Sequence, residues 1–105
     1  MMKVKIPFLP RFKEPMLSGQ KTMTSRTKIY GGKGDTFDAF GATFELESVY
    51  AQPFIVIREQ WKAEGCNSKK DFLATWRKIH PRKTFTLHEL LFVHRFHKIK
   101  EGDKT

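Results

Sequence analysis

In residues 43–50, Phe44, Leu46 and Ser48 fall on one side of an extended chain and Glu45, Glu47 and Val49 on the other. This is the period-two pattern of a half-buried strand. Residues 36–40 predict a strand before it, and the alternation of Met2-Lys3-Val4-Lys5-Ile6 predicts a short one near the start. Residues 12–18 predict one or two helical turns stopped at Gly19, where left-handed backbone costs least. Residues 22–26 are β-prone, and Gly31-Gly32-Lys33-Gly34-Asp35 predicts a turn or flexible loop. Residues 54–57 are rich in β-branched side chains, yet residues 58–64 favour helix and stop at Gly65, so a helix is expected from about 57 to 64. The clearest element follows. Ser68 and Asp71 form a variant of the capping box, and Phe72, Trp76 and Ile79 recur at i, i+4 and i+7 as an apolar stripe. Pro81 ends that helix near His80. Residues 84–87 and 90–99 complete the set as strands. With no repeat, low-complexity tract or linker, the pattern predicts one domain over residues 1–105, a compact α+β barrel with two or three short flanking helices.

Composition narrows the class. The chain has 105 residues, of which 39% are hydrophobic and ten are Phe, enough for a core and against disorder. The apolar runs at 54–57 and 90–93 are far short of the roughly 20 residues that span a bilayer. The first residues lack the apolar stretch and cleavage site of a signal peptide, which leads us to expect a cytoplasmic protein without membrane contact. Cys66 is the single cysteine, so neither an internal disulfide nor a cysteine-rich zinc site can form. The net charge is +9. It divides into a block of +7 over residues 1–33, −4 over 34–64 and +6 over 65–105. Basic residues interleaved with Phe, Tyr and Trp predict affinity for phosphates and stacked bases.

The chemistry-bearing stretch is residues 11–26, Arg-Phe-Lys-Glu-Pro-Met-Leu-Ser-Gly-Gln-Lys-Thr-Met-Thr-Ser-Arg. A glycine turn feeds a strand carrying a lysine, hydroxyls and an arginine. Alternation puts Thr22, Thr24 and Arg26 on one face and Met23 and Ser25 on the other. Lys21 has the wrong parity for Thr24 and reaches its hydroxyl only if the backbone departs from strand geometry after Gly19. A lysine desolvated beside a hydroxyl and a second cation is one way to activate a weak nucleophile, with Arg26 lowering the lysine pKa and available to an anion.

Other features carry less. His94 and His97 lie three apart on a strand and point to opposite faces, so no metal site and no cofactor is expected. Cys66 reads as a small buried residue. Trp61 and Trp76 read as core rather than as stacking platforms. The glycine loop at 31–34 lacks the phosphate-loop pattern and its following helix, which excludes a nucleoside triphosphatase of that type.

Residues Leu17-Ser18-Gly19-Gln20-Lys21-Thr22-Met23-Thr24-Ser25-Arg26 resemble the Gly-x-Lys-Thr-x-Thr-x-Arg signature of the ASCH domain family, small β-barrels related to the PUA RNA-binding fold. Lys33-Gly34-Asp35, Ala63-Glu64-Gly65 followed by Ser68, and Phe72…Trp76…His80-Pro81 extend the resemblance over about residues 8–96. It implies a PUA-like barrel with a basic cleft for RNA or a modified nucleoside, lined by Arg11, Gly19, Thr22, Arg26 and Lys33 with the catalytic candidates. Small single-domain members act as N4-acetylcytidine amidohydrolases. On that resemblance Lys21 is the general base, Thr24 the nucleophile and Glu64 the proton donor, with Glu59 a weaker alternative to Glu64. Arg26 or a backbone N–H would hold the oxyanion. A non-catalytic RNA-binding or coregulator module, and a ribonuclease using the same cleft, are the other functions the family implies.

Overall fold

The computed structural model describes residues 2–101, with side chains up to Ile99. Its scaffold is one antiparallel sheet of four strands, β1 (Met23–Arg26), β2 (Thr36–Ala39), β3 (Ala42–Pro53) and β4 (Leu90–Glu101), in the order β1-β4-β3-β2. The β2–β3 hairpin closes through Phe40 and Gly41, both at positive φ (53° and 82°), the geometry of a two-residue hairpin turn whose twist matches its strands. β3 and β4 pair from Ala42 opposite Glu101 to Pro53 opposite Leu90, with register shifts at Thr43/Phe44 and Leu46/Ser48. Extra residues at such points bend a ladder, and the expected barrel takes the form of a curled half-barrel. The alternation read for β3 holds through Phe44 and Leu46, both buried, and fades at Ser48 beyond the second shift.

The concave face of the sheet packs Phe37, Phe44 and Phe96 with ring centroids 5.3–5.5 Å apart, and Phe8 caps this group at 5.7 Å from Phe37. Three short helices flank it: α1 (Lys13–Ser18), entered through a 3-10 turn at Pro10–Phe12, α2 (Phe54–Ile57), and α3 (Lys69–Ile79). α3 starts as expected, with the Ser68 hydroxyl accepting from the Asp71 N–H at 3.0 Å. Its aromatic residues Phe72 and Trp76 meet Phe54 from α2 and Phe85 from the loop after α3, a second cluster.

Four expectations need correction. Residues 2–6 form no strand; a single parallel bridge joins Lys3 to Thr36, and the Val4 N–H to Thr36 and Thr36 N–H to Met2 bonds cover the outer edge of β2. The helix expected at 57–64 begins earlier, because Pro53 ends β3 and its fixed φ suits a helix start; α2 passes into a 3-10 turn at Arg58–Gln60 and then into tight turns. Ile79 is 46% exposed, and Thr75 takes the buried place on α3. Residues 84–87 are loop, their backbone spent on α2: the Leu87 carbonyl accepts from Ile55 N–H and that of Glu89 from Phe54 N–H.

Candidate functional site

The site is built where the end of α1 meets the turn before Cys66. α1 stops at Gly19 (φ 91°), its N–H bonding to the Met16 carbonyl. The chain doubles back so that Lys21 N–H reaches Pro15, and the N–H groups of Thr22 and Met23 both donate to the Ala63 carbonyl at 2.8 and 3.2 Å. These backbone bonds set Lys21 beside Glu64. Lys21 is 2% and Glu64 5% exposed. The Lys21 ammonium donates to the carbonyls of Met23 (2.8 Å) and Glu64 (2.6 Å) and is ion-paired with Glu64 Oε1 at 3.5 Å. It also sits 4.5 Å from the Phe12 ring centre, within cation–π range.

The other Glu64 oxygen accepts from the Ser25 hydroxyl at 2.5 Å. The Thr24 hydroxyl accepts from Arg26 Nε at 2.9 Å, and the Arg26 guanidinium donates to the Pro7 carbonyl and lies over the rings of Phe8 and Tyr30 at 4.9 and 5.3 Å. Lys21, Thr24, Ser25, Arg26 and Glu64 all face one cavity of about 360 Å³. Six aromatic side chains contribute to its wall: Phe8, Phe12, Tyr30, Phe72, Trp76 and His80. A second hollow of about 260 Å³ on the other side of Lys21 is bounded by Gly19, Thr22, Phe44 and Phe96.

Of the eight residues singled out from sequence, Lys21, Thr24, Arg26 and Glu64 converge on the larger cavity. Gly19 and Thr22 border the second hollow. Lys33 is exposed in the loop before β2 and Arg11 stands outside the cavity; neither lines it. Arg11 is a clamp instead, with two hydrogen bonds to the Asp71 carboxylate (3.1 and 2.7 Å) and one to the Thr75 hydroxyl (2.6 Å), joining the start of the chain to α3. Glu59 pairs with Lys69 at the surface and is not among the residues that line the cavity. The Lys21–Thr24 contact anticipated from sequence is absent among the described residues, since the ammonium is committed elsewhere. Trp76 is buried in the core as expected and also forms part of the cavity wall.

Burial holds the Lys21 ammonium below the usual lysine range, with Glu64 opposing and Arg26 adding to the lowering. Desolvation likewise lowers Arg26. The Cys66 thiol, also on the cavity wall, is pushed up to about 11 by burial, which leaves it protonated and inert at neutral pH. Among the described residues no group of three or more His, Cys, Asp or Glu side chains could hold a metal ion, and no helix is long and apolar enough to cross a membrane.

The architecture matches solved structures. An ASCH domain from Lactobacillus crispatus JV V101 superposes with a TM-score of 0.67 at 15% identity, over 95% of this chain and 80% of that one. The chain has the ASCH-domain fold. Protein EF3133 from Enterococcus faecalis V583 shares that fold with a TM-score of 0.66 at 17% identity, covering 99% of this chain and 82% of that one, and hypothetical protein PH0355 does so at 0.63 and 13%, covering 93% and 96%. No family model and no curated protein matches the chain by sequence.

One histidine braces the wall of this ASCH fold. His94 on β4 is fully buried; Nδ1 lies 3.1 Å from the Phe92 carbonyl and Nε2 accepts the Tyr30 N–H at 3.0 Å, which together assign a neutral ring protonated at Nδ1. Burial lowers its pKa from 6.5, against the hydrogen bonds to Phe92 and Thr24. His80 is shifted the same way, by burial first and then by Arg26 and Lys83. A depressed folded value means that the unfolded chain takes up the proton first, so stability is lost as pH falls below about 6.5. Urea midpoints are expected to drop from pH 7 to pH 5, and His94→Gln to flatten that slope. A slope unchanged by the substitution would assign the effect to His80.

Ser25 is the residue that sequence reasoning missed. Alternation places it opposite Thr24, which is correct for a strand with solvent on one side. β1 is covered on both faces, as burial of Met23, Thr24 and Ser25 together shows, so both parities reach functional surroundings.

Proposed function

We propose that the cavity binds a nucleoside, free or as an unstacked base of RNA, and hydrolyses an acyl amide on its exocyclic nitrogen. One observation carries this reading: a buried ammonium, a carboxylate, the buried hydroxyls of Thr24 and Ser25, and a guanidinium open into a single cavity lined in part by aromatic rings. A volume of about 360 Å³ is in the range of small-molecule sites, which pair apolar walls with a few convergent polar groups. Flat rings offer stacking surfaces to a base, and the net charge of +9 favours phosphate-bearing partners. The ASCH-domain fold and the resemblance of residues 17–26 to the family signature support the same substrate class. Amide cleavage needs a nucleophile, a base, an acid and an oxyanion donor. The resemblance gives these roles to Thr24, Lys21, Glu64 and Arg26, and the lowered Lys21 pKa supports a basic amine there.

A non-catalytic reader of RNA is the second reading, favoured by the engagement of the Lys21 ammonium with two backbone carbonyls and the Glu64 carboxylate. Incubation with N4-acetylcytidine separates the two. The hydrolase releases cytidine and acetate, and Glu64→Gln slows release by about 10²–10⁴-fold, the range for a lost acid–base group. A reader binds the nucleoside or RNA in calorimetry, with affinity falling as salt rises, and releases nothing. Absence of both binding and product refutes the nucleoside pocket.

A further inference from the structure

The geometry points to Ser25, activated by Glu64, as the nucleophile of this cavity. The assignment rests on the reading of the site as an acyl-amide hydrolase. A hydroxyl attacks efficiently when a base stands within hydrogen-bond reach of its proton, and the base is best held by a third group. Thr24, Ser25, Thr27, Tyr30 and Thr75 bring hydroxyls to the cavity wall, and of these, among the described residues, only the Ser25 hydroxyl donates to a carboxylate, while that of Thr75 accepts from Arg11. Ser25 donates to Glu64 Oε2 at 2.5 Å, while Lys21 stands 3.5 Å from Oε1 and fixes the carboxylate from its other side. The Thr24 hydroxyl accepts from Arg26 Nε and, among the described residues, meets no base. The lysine that would serve it is occupied by the carbonyls of Met23 and Glu64. Thr24 retains its own proton and, with Arg26 behind it, is placed to donate to an oxyanion.

The steps balance without any further reactant than water. Ser25 Oγ bonds to the acyl carbon as its proton passes to Glu64, giving a tetrahedral oxyanion held by Thr24 and Arg26. Collapse breaks the carbon–nitrogen bond, and Glu64 returns the proton to the departing amine, leaving an acyl ester on Ser25. Water then attacks the ester and gives a proton to Glu64. Glu64 passes that proton to the Ser25 oxygen as the carboxylic acid leaves. One carboxylate thus alternates between base and acid.

The test is intact-protein mass spectrometry and turnover of N4-acetylcytidine by the wild type, Ser25→Ala, Ser25→Cys and Thr24→Val. Expected are a wild-type acetyl adduct mapping to Ser25, at least a 1000-fold rate loss in Ser25→Ala, on the order of loss of a nucleophile, and an adduct retained as a thioester in Ser25→Cys. Thr24→Val should slow the reaction by about 10²–10³-fold, as for a lost oxyanion donor, yet still acylate Ser25. If Ser25→Ala fails to fold, the cysteine variant decides, because it keeps a nucleophilic atom at the same place. An adduct on Thr24, a Ser25→Ala rate within about threefold of wild type, or a folded Ser25→Cys variant that never acylates overturns this assignment alone. A wild type that forms neither product nor adduct overturns the hydrolase reading together with it.

Discussion

Gly65→Ala is expected to destabilise the protein by about 2–4 kcal/mol, the sum of a left-handed backbone penalty and overpacking. Gly65 lies at φ 92°, where any Cβ is disfavoured. The space is also taken: an added Cβ would stand 2.9 Å from Lys21 Cδ, 3.0 Å from Lys21 Cβ and 3.1 Å from Phe12 Cδ1. The Lys21 stem passes directly over this glycine, so relief requires the stem to move. Its ammonium would then lose its bonds to Met23 and Glu64. Urea denaturation measures the first effect. Calorimetry with the nucleoside measures the second, and affinity is expected to fall with stability. Retention of stability to within about 0.5 kcal/mol, the scatter of ordinary surface substitutions, would show that the turn yields without cost.

Lys21→Met is expected to cost about 3–5 kcal/mol, the usual penalty for removing one partner of a buried ion pair. Methionine replaces most of the stem volume, so the loss isolates the charge. The variant leaves the Glu64 carboxylate facing only the Ser25 hydroxyl, and leaves the Met23 and Glu64 carbonyls without this donor. Adding Glu64→Gln removes the stranded charge, and the double variant should be more stable than the two single losses sum to, by about 1–3 kcal/mol. Strict additivity in this double-mutant cycle would mean that the pair is not coupled. The experiment also bears on Lys21 as a base, because burial lowers its pKa while the pair with Glu64 opposes that lowering.

What could be read along the chain was what the chain decides locally. The Ser68 cap, the Gly19 stop and the hairpin strands depend on short-range geometry, and Lys21, Thr24 and Arg26 share one compact motif, whereas Glu64, 43 residues from Lys21, was reached only through the family resemblance. What escaped depends on partners distant in sequence. Arg11 read as a free cation for RNA, yet its carboxylate partner is Asp71, sixty residues away. Lys3 and Lys83 are likewise paired, with Asp38 and Glu89, so the basic count overstates what a phosphate meets. Residues 2–6 and 84–87 have strand-like patterns, but their backbones serve other elements. Ile79 kept the helical spacing and lost the burial, because the cavity lies where the core stripe would have continued. Ser25 was placed on the strand face opposite Thr24 and given no role, yet β1 is buried through Met23, Thr24 and Ser25 alike.

The order of strands in the sheet has a consequence for synthesis. Every side chain that borders the larger cavity precedes Pro81, yet β1, which presents Thr24, Ser25 and Arg26, is paired in the sheet only to β4, through Met23–Arg95 and Arg26–Phe92. A nascent polypeptide on the ribosome therefore carries the full chemical complement of the site before the strand that holds it has emerged. Contacts that join such distant stretches form slowly and late. A ribosome-stalled chain ending before Leu90 should contain all the reacting groups and be inert, its pocket appearing only with the final dozen residues of the sheet.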